Sequence, residues 1–229
     1  LLIGLQGNIR FRHRSQQRDA YSRSLLLPVG WQGTVDSARL WVADCHLDAT
    51  GFDHAVLRQL ASRQEQAAYC DLHNEQQLIN AFDAVSQGLA LPDTLYPQLD
   101  GWLNPPELVA HTAFRCDPRI LATLQRIKTS TQENLSVDSL AQQVGLSTSR
   151  LVKLFKEQIG VPIRRYRLWY RLFLSTQRIA RGASVTDAAL EAGFADAAHF
   201  ARTYRTILGV QPSALVRPRA GLQVFVEGA

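Results

Sequence analysis

Apolar and polar positions follow a helical rhythm twice over in the second half of the chain. Ser136-Val137-Asp138-Ser139-Leu140-Ala141-Gln142-Gln143-Val144-Gly145-Leu146 is answered 48 positions later by Ser184-Val185-Thr186-Asp187-Ala188-Ala189-Leu190-Glu191-Ala192-Gly193-Phe194. Each copy opens on a Ser suited to cap a helix, because its hydroxyl can accept from a free amide of the first turn. Small or apolar residues follow at helical spacing: Leu140, Ala141 and Val144, then Ala188, Ala189 and Ala192. Each copy closes on a Gly, which takes the left-handed conformation past a helix end without a Cβ clash. A second apolar stripe follows in each, Leu151, Leu154, Phe155 and Ile159 in one and Phe200, Tyr204 and Leu208 in the other. Past the turn the offset becomes 49, pairing Leu151 with Phe200, Phe155 with Tyr204 and Gly160 with Gly209. The pattern predicts two helix-turn-helix units.

The faces opposite those stripes also correspond. Ser149, Val152, Lys153 and Lys156 share one side of the first helix, and Ala198, Ala201, Arg202 and Arg205 share one side of the second. A helix, a short turn and a second helix make the compact motif whose second helix enters a DNA major groove. The bland alternative is a helical bundle with solvated Lys and Arg. Between the copies, Pro162 to Ile179 reads as one basic and aromatic helix, with Pro near its first turn. A helix of about 18–20 residues spans about 27–30 Å, against roughly 34 Å for one turn of B-DNA. Such a spacer suits two recognition helices in successive grooves.

The first half has a different rhythm. Leu1–Leu5, Gly7–His13 and Arg23–Leu27 read as strands, Pro28–Gly33 as a turn and Ala38–Leu47 as a long alternating strand. From Phe52 the period becomes helical, with Val56, Leu57 and Leu60 on one helix and Leu78, Ile79, Phe82 and Val85 on another. Strands followed by helices suggest a small barrel with helices packed on one end. The pattern breaks at Leu103-Asn104-Pro105-Pro106-Glu107 and again at Asp117-Pro118, where an Asp cap and a Pro would start a helix over Arg119–Thr129. The domain boundary is therefore expected between Pro106 and Asp117. Beyond Pro212 the chain reads as loop, with a short strand or mobile tail over Leu222–Glu227.

Charge sharpens this division. Residues 1–116 hold nine Lys and Arg against twelve Asp and Glu, whereas residues 117–229 hold sixteen against eight, within an overall net charge of +5. A basic module joined to a mildly acidic one suits a nucleic-acid binder attached to a regulatory part. A hydrophobic content of 46% is enough for packed cores, and no apolar run approaches the ~20 residues of a membrane span. Cys45, Cys70 and Cys116 are too far apart for a zinc site or a disulfide framework, which fits reduced thiols in a cytoplasm. The chain starts at Leu1-Leu2-Ile3, inside an expected strand, and contains no Met, so a missing native N-terminus is expected.

The run from Asp117 to Leu215 resembles the DNA-binding region of AraC-type bacterial transcription regulators. The most specific part is Gly193-Phe194-Ala195-Asp196-Ala197-Ala198-His199-Phe200-Ala201-Arg202-Thr203-Tyr204-Arg205 with Gly209-Val210-Gln211-Pro212-Ser213, joined by Leu168-Trp169-Tyr170-Arg171-Leu172. In that family, base-reading positions fall here on Ser149, Val152 and Lys153 and near Ala198, Ala201 and Arg202. The chain departs from the polar sets common there, since Ala197, Ala198 and Ala201 offer no side-chain hydrogen bonds. The resemblance implies an α+β chain: a cupin-like β-barrel with helices over 1–110 for effector binding and dimerisation, then an all-α tandem helix-turn-helix domain over 117–216. It implies double-stranded DNA and an unknown small-molecule effector as ligands. It also implies a homodimer through the N-terminal helices and RNA polymerase as partner of an activator, with no membrane role.

In the expected mechanism Lys153 and Arg202 donate to base edges and Val152 touches a thymine methyl. Thr148, Lys156 and Arg205 hold phosphates, with Ser149 and Ala198 beside them on the reading face.

Cupin enzymes hold metal through His and carboxylate ligands that begin with His-x-His. The six His of this chain show no such spacing, and Gly30-Trp31-Gln32-Gly33-Thr34-Val35 offers no usual ligand. The expectation is therefore no cofactor, no metal and no enzymatic activity, with Trp31, Trp41 and Phe11 as either core or lining of an apolar cavity. Two alternatives stand beside the regulator: a DNA-repair or modification protein with a reactive cysteine, and a metal-free small-ligand binder that never touches DNA.

Overall fold

The computed structural model describes residues 1–47, 52–90, 92–112, 115–131, 133 and 135–216. The chain divides into two compact units, Leu1–Arg115 and Cys116–Ala229.

The first unit is built on two antiparallel sheets. One has five strands in the order β6 (Val42–Asp44), β1 (Leu2–Gly4), β4 (Ser24–Leu26), β8 (Ala68–Leu72) and β7 (Ala61–Glu65). The other has three, β3 (Ala20–Ser22), β2 (Ile9–His13) and β5 (Gly33–Asp36). Side chains alternate across a strand, so adjacent residues of β4 serve different cores. Leu25 packs with Ile9, Phe11, Ala20, Ala68 and Cys70 between the sheets. Leu26 packs on the other face with Leu1, Ile3, Leu57, Leu78 and Ile79. Helices α1 (Phe52–Leu57), α2 (Glu75–Ser86) and α3 (Pro92–Leu103) cover that second face, and the short α4 (Pro106–His111) follows.

Three sequence expectations change here. The strand over Ala38–Leu47 shrinks to β6, because Ala38 and Arg39 take left-handed φ values of 51° and 67° and the Asp36 carboxylate accepts from the Ala38 amide. That side-chain turn ends the extended run. The strand β5 lies just after the expected turn and pairs with β2, Phe11 opposite Val35. A hairpin, β7–β8, follows α1 where helices alone were expected, so strands and helices interleave. The tail over Leu222–Glu227 lies outside the described residues.

Of the three aromatic residues named for a cavity, Phe11 is buried in the core between the sheets. Trp31 is half-buried and its indole N–H donates to the Gln66 carbonyl at 3.0 Å. Trp41 is 40% exposed.

The second unit is all helical among the described residues: α5 (Pro118–Thr129), α6 (Val137–Gln143), α7 (Thr148–Ile159), α8 (Ile163–Ala180), α9 (Val185–Glu191) and α10 (Ala197–Leu208). The Asp117 carboxylate caps α5 by accepting from the Arg119 amide, with Pro118 at the first position. Helix α8 is shared by two cores. Near its start Tyr166 meets Phe155 of α7 edge-on at 5.8 Å. Further along, Leu172 and Ile179 join Ala188, Ala189, Ala192, Phe194, Phe200 and Tyr204.

Candidate nucleic-acid interface

The two sequence copies fold alike. Helices α6 and α9 are seven residues each, and α7 and α10 are twelve each. Ser136 and Ser184 cap the first helices by accepting from the amides of Ser139 and Asp187, both at 3.0 Å. Ser147 and Asp196 cap the second helices, accepting from Arg150 and His199. A Ser cap of this kind is worth about 1 kcal/mol. The change of offset from 48 to 49 sits in the turns: Val144–Ser147 connects the first pair, and Ala192–Asp196, one residue longer, connects the second.

Burial separates the two sides of each second helix. On α7, Leu151, Leu154, Phe155 and Ile159 are buried, while Ser149, Val152, Lys153 and Lys156 are exposed. On α10, Phe200 and Tyr204 are buried, while Ala198, Arg202 and Arg205 are exposed and Ala201 is half-buried. The apolar side is held in place by Phe194 and Tyr204, each edge-on to Phe200, and by the Tyr204 hydroxyl, 3.0 Å from that of Thr176 on α8. Each outer face therefore presents two cations on a helix whose other side is locked into a core.

The side chains on these faces differ in freedom. Lys153 lies 3.9 Å from Glu157 one turn on, with both side chains more than half exposed. An exposed i,i+4 pair contributes only about 0.3–0.5 kcal/mol, so Glu157 does not hold Lys153 against a base or a phosphate. Thr148 is placed otherwise than a phosphate donor would be. It is half-buried, and its hydroxyl donates to the Asp138 carboxylate, tying α7 to α6. The Asp196 carboxylate is held below its ordinary range, first by the His199 backbone amide and also by the nearby charge of Arg202. It keeps a negative charge at the start of α10 where the other copy has a neutral Ser. Arg164 and Arg165 are two further exposed cations, at the start of α8. Their signal in the sequence was the Arg run after Pro162.

Comparison with known proteins agrees with this geometry. The family model described as a helix-turn-helix domain matches residues 140–217. The chain is 28% identical over 109 residues to the helix-turn-helix transcriptional regulator ArgR of Pseudomonas aeruginosa, covering 47% of this chain and 33% of that protein. It is 34% identical over 104 residues to a helix-turn-helix regulator of Staphylococcus aureus, covering 42% of this chain and 13% of that one. A regulator from Chromobacterium violaceum, described as containing an AraC-type DNA-binding domain, is 30% identical over 42% of this chain and 87% of its own, with a TM-score of 0.41.

Residues 140–217 form a helix-turn-helix domain of the AraC type. The chain spans well under half the length of the curated regulators it matches. Its two-part fold is similar to that of ToxT from Vibrio cholerae, which aligns over 93% of this chain and 87% of its own at a TM-score of 0.57 and 15% identity. Another ToxT structure, described as bound to an unsaturated fatty acid, aligns at 0.55 over 93% and 84%.

The alternative with a reactive cysteine finds little support in the thiols. Burial pushes the Cys45 thiol up to about 12 and raises Cys70 and Cys116 as well, which is the opposite of what activates a thiolate. Among the described residues, no three His, Cys, Asp or Glu side chains gather as a metal site would require. No helix among them is long and apolar enough to cross a membrane.

Proposed function

We propose that this AraC-type chain is a sequence-specific regulator of transcription that reads double-stranded DNA with α7 and α10. The observation that carries the reading is the repeated outer face, with two exposed cations on each of two capped, core-locked helices. Lys153 and Arg202 donate to base edges, guanine O6 and N7 being the acceptors that suit them best. Val152, 43% exposed, touches a thymine methyl. Ser149 and Ala198 lie against the groove, and Lys156 and Arg205 hold phosphates. The hydroxyl of Thr148 is engaged with Asp138 and serves the turn rather than a phosphate. Because Ala198 and Ala201 cannot donate or accept, the second copy reads through Arg202, methyl contact and groove shape. Helix α8, 18 residues and so about 27 Å long, is the spacer between the two readers.

The N-terminal unit takes a small-molecule effector and pairs two chains through its helices, and an activating chain would contact RNA polymerase. Support comes from the mildly acidic, sheet-based unit ahead of the basic one and from its ToxT-like fold. A ToxT structure described as fatty-acid-bound makes an unsaturated fatty acid the first probe.

Selection from a pool of random duplexes tests the DNA reading. Repeated rounds of binding are expected to enrich two short conserved blocks. A pool that binds equally at every sequence, or not at all, contradicts it.

A further inference from the structure

The two turn glycines are equivalent by sequence yet differ in surroundings. Gly145 and Gly193 both have left-handed φ, 67° and 85°. A Cβ on Gly145 would meet nothing within 4 Å. A Cβ on Gly193 would lie 2.9 Å from the Thr131 carbonyl oxygen and 3.3 Å from Cζ and Nε of Arg171. Thr131 belongs to the loop between α5 and α6, and Arg171 to the middle of α8, whose Nη2 donates to that same carbonyl at 3.2 Å. The loop before the first helix-turn-helix, the spacer helix and the turn of the second therefore meet at one point. Arg167, one turn earlier on α8, lines the same small cleft with Ile127, Ser130 and Leu135.

We propose that Thr131, Arg171 and Gly193 form a joint that locks the two helix-turn-helix units at one relative orientation, and thereby sets the separation of half-sites that the chain accepts. The geometry gives the reason. Spacer helix α8 alone fixes a distance but leaves the second unit held only through one junction. The Arg171 guanidinium is planar and rigid, and it occupies the space beside Gly193 that a Cβ would need while bonded to Thr131. It ties the second turn to the loop that leads into the first unit, closing a ring of contacts around α8. Burial and the charge of Arg171 lower Arg167 from its ordinary range, and both side chains line the same cleft. Arg171 is a positioning residue and need not touch DNA.

This inference rests on the DNA-binding reading, and the experiment separates the two. The unsubstituted 229-residue chain, Arg171→Ala, Gly193→Ala and Gly145→Ala each select binders from duplexes carrying about 30 random base pairs, enough for two major-groove sites a turn apart. Circular dichroism confirms that each variant is folded. Wild type is expected to return two conserved blocks at one separation. Arg171→Ala and Gly193→Ala are expected to return the same blocks with their separation spread over several base-pair steps, whereas Gly145→Ala keeps the wild-type separation. Should Gly193→Ala fail to fold, Arg171→Ala decides, since it adds no atom to the joint. An unaltered single separation with Arg171→Ala overturns the joint; a wild-type pool without any conserved block overturns the DNA-binding reading instead.

Discussion

Gly160 and Gly209 end α7 and α10 in the same way: φ is 80° in one and 76° in the other, and each amide donates at 3.0 Å to the carbonyl of Lys156 or Arg205. The left-handed cap frees both helices to stop where the next segment must leave, and an Ala there would put a Cβ against its own carbonyl. Gly160→Ala and Gly209→Ala are each expected to lower unfolding free energy by about 1–2 kcal/mol. Urea titration followed by circular dichroism checks this; unchanged midpoints would show that neither cap needs a glycine.

Lys153 and Arg202 stand at corresponding places on the exposed faces. Replacing either by Ala is expected to cost about 1–3 kcal/mol on the selected site and to relax preference at one base pair, in the first block for Lys153 and the second for Arg202. Affinities for a set of single-base variants measure it. Equal loss on every sequence would make these two residues phosphate contacts.

Lys156 and Arg205 lie further along the same faces, nearer the helix ends. Lys156→Ala and Arg205→Ala are expected to weaken binding to all duplexes alike and to reduce the slope of log affinity against log salt by about one. Loss confined to one base pair would count against that role.

Asp117 offers a pH test. Side-chain and backbone hydrogen bonds from Arg119 hold its carboxyl at about 2, below its ordinary 3.8. A carboxylate held low in the folded state stabilises fully above its ordinary value, and that contribution is lost as pH falls through the folded value. Asp117→Asn keeps a capping oxygen but removes the charge. Its urea midpoint is expected below wild type at pH 6, and the gap is expected to close as pH falls from 4 to 2. A gap independent of pH would assign the effect to packing.

The C-terminal unit was legible because its signals are local and doubled. Caps at Ser136 and Ser184, the closing glycines and the apolar stripes each act within one or two turns, and a second copy gave every one of them a check. The N-terminal unit was harder. Strand β7 reads Ala61-Ser62-Arg63-Gln64-Glu65, an edge strand with polar groups on both faces, and its pairing is imposed by β8 rather than by any alternation of its own. In β8 the alternation exists at Ala68, Cys70 and Leu72, but small residues and the left-handed Asp71 between Cys70 and Leu72 blur it. Along Ala38–Leu47 the opposite happened: a good alternating pattern gave way to a turn made by the Asp36 side chain. For the interface, residue identity and face were readable, whereas the bond between Thr148 and Asp138 and the crowding at Gly193 are tertiary facts that no spacing encodes.

Guanine N7 methylation interference on a selected duplex tests the central claim most directly, because it reports which major-groove edges a bound side chain needs. Two clusters of interfering guanines, centred about ten base pairs apart on one face of the duplex, are expected, with Lys153→Ala erasing sensitivity in one and Arg202→Ala in the other. A single cluster, or two clusters on opposite faces, would contradict a chain that sets α7 and α10 into successive major grooves.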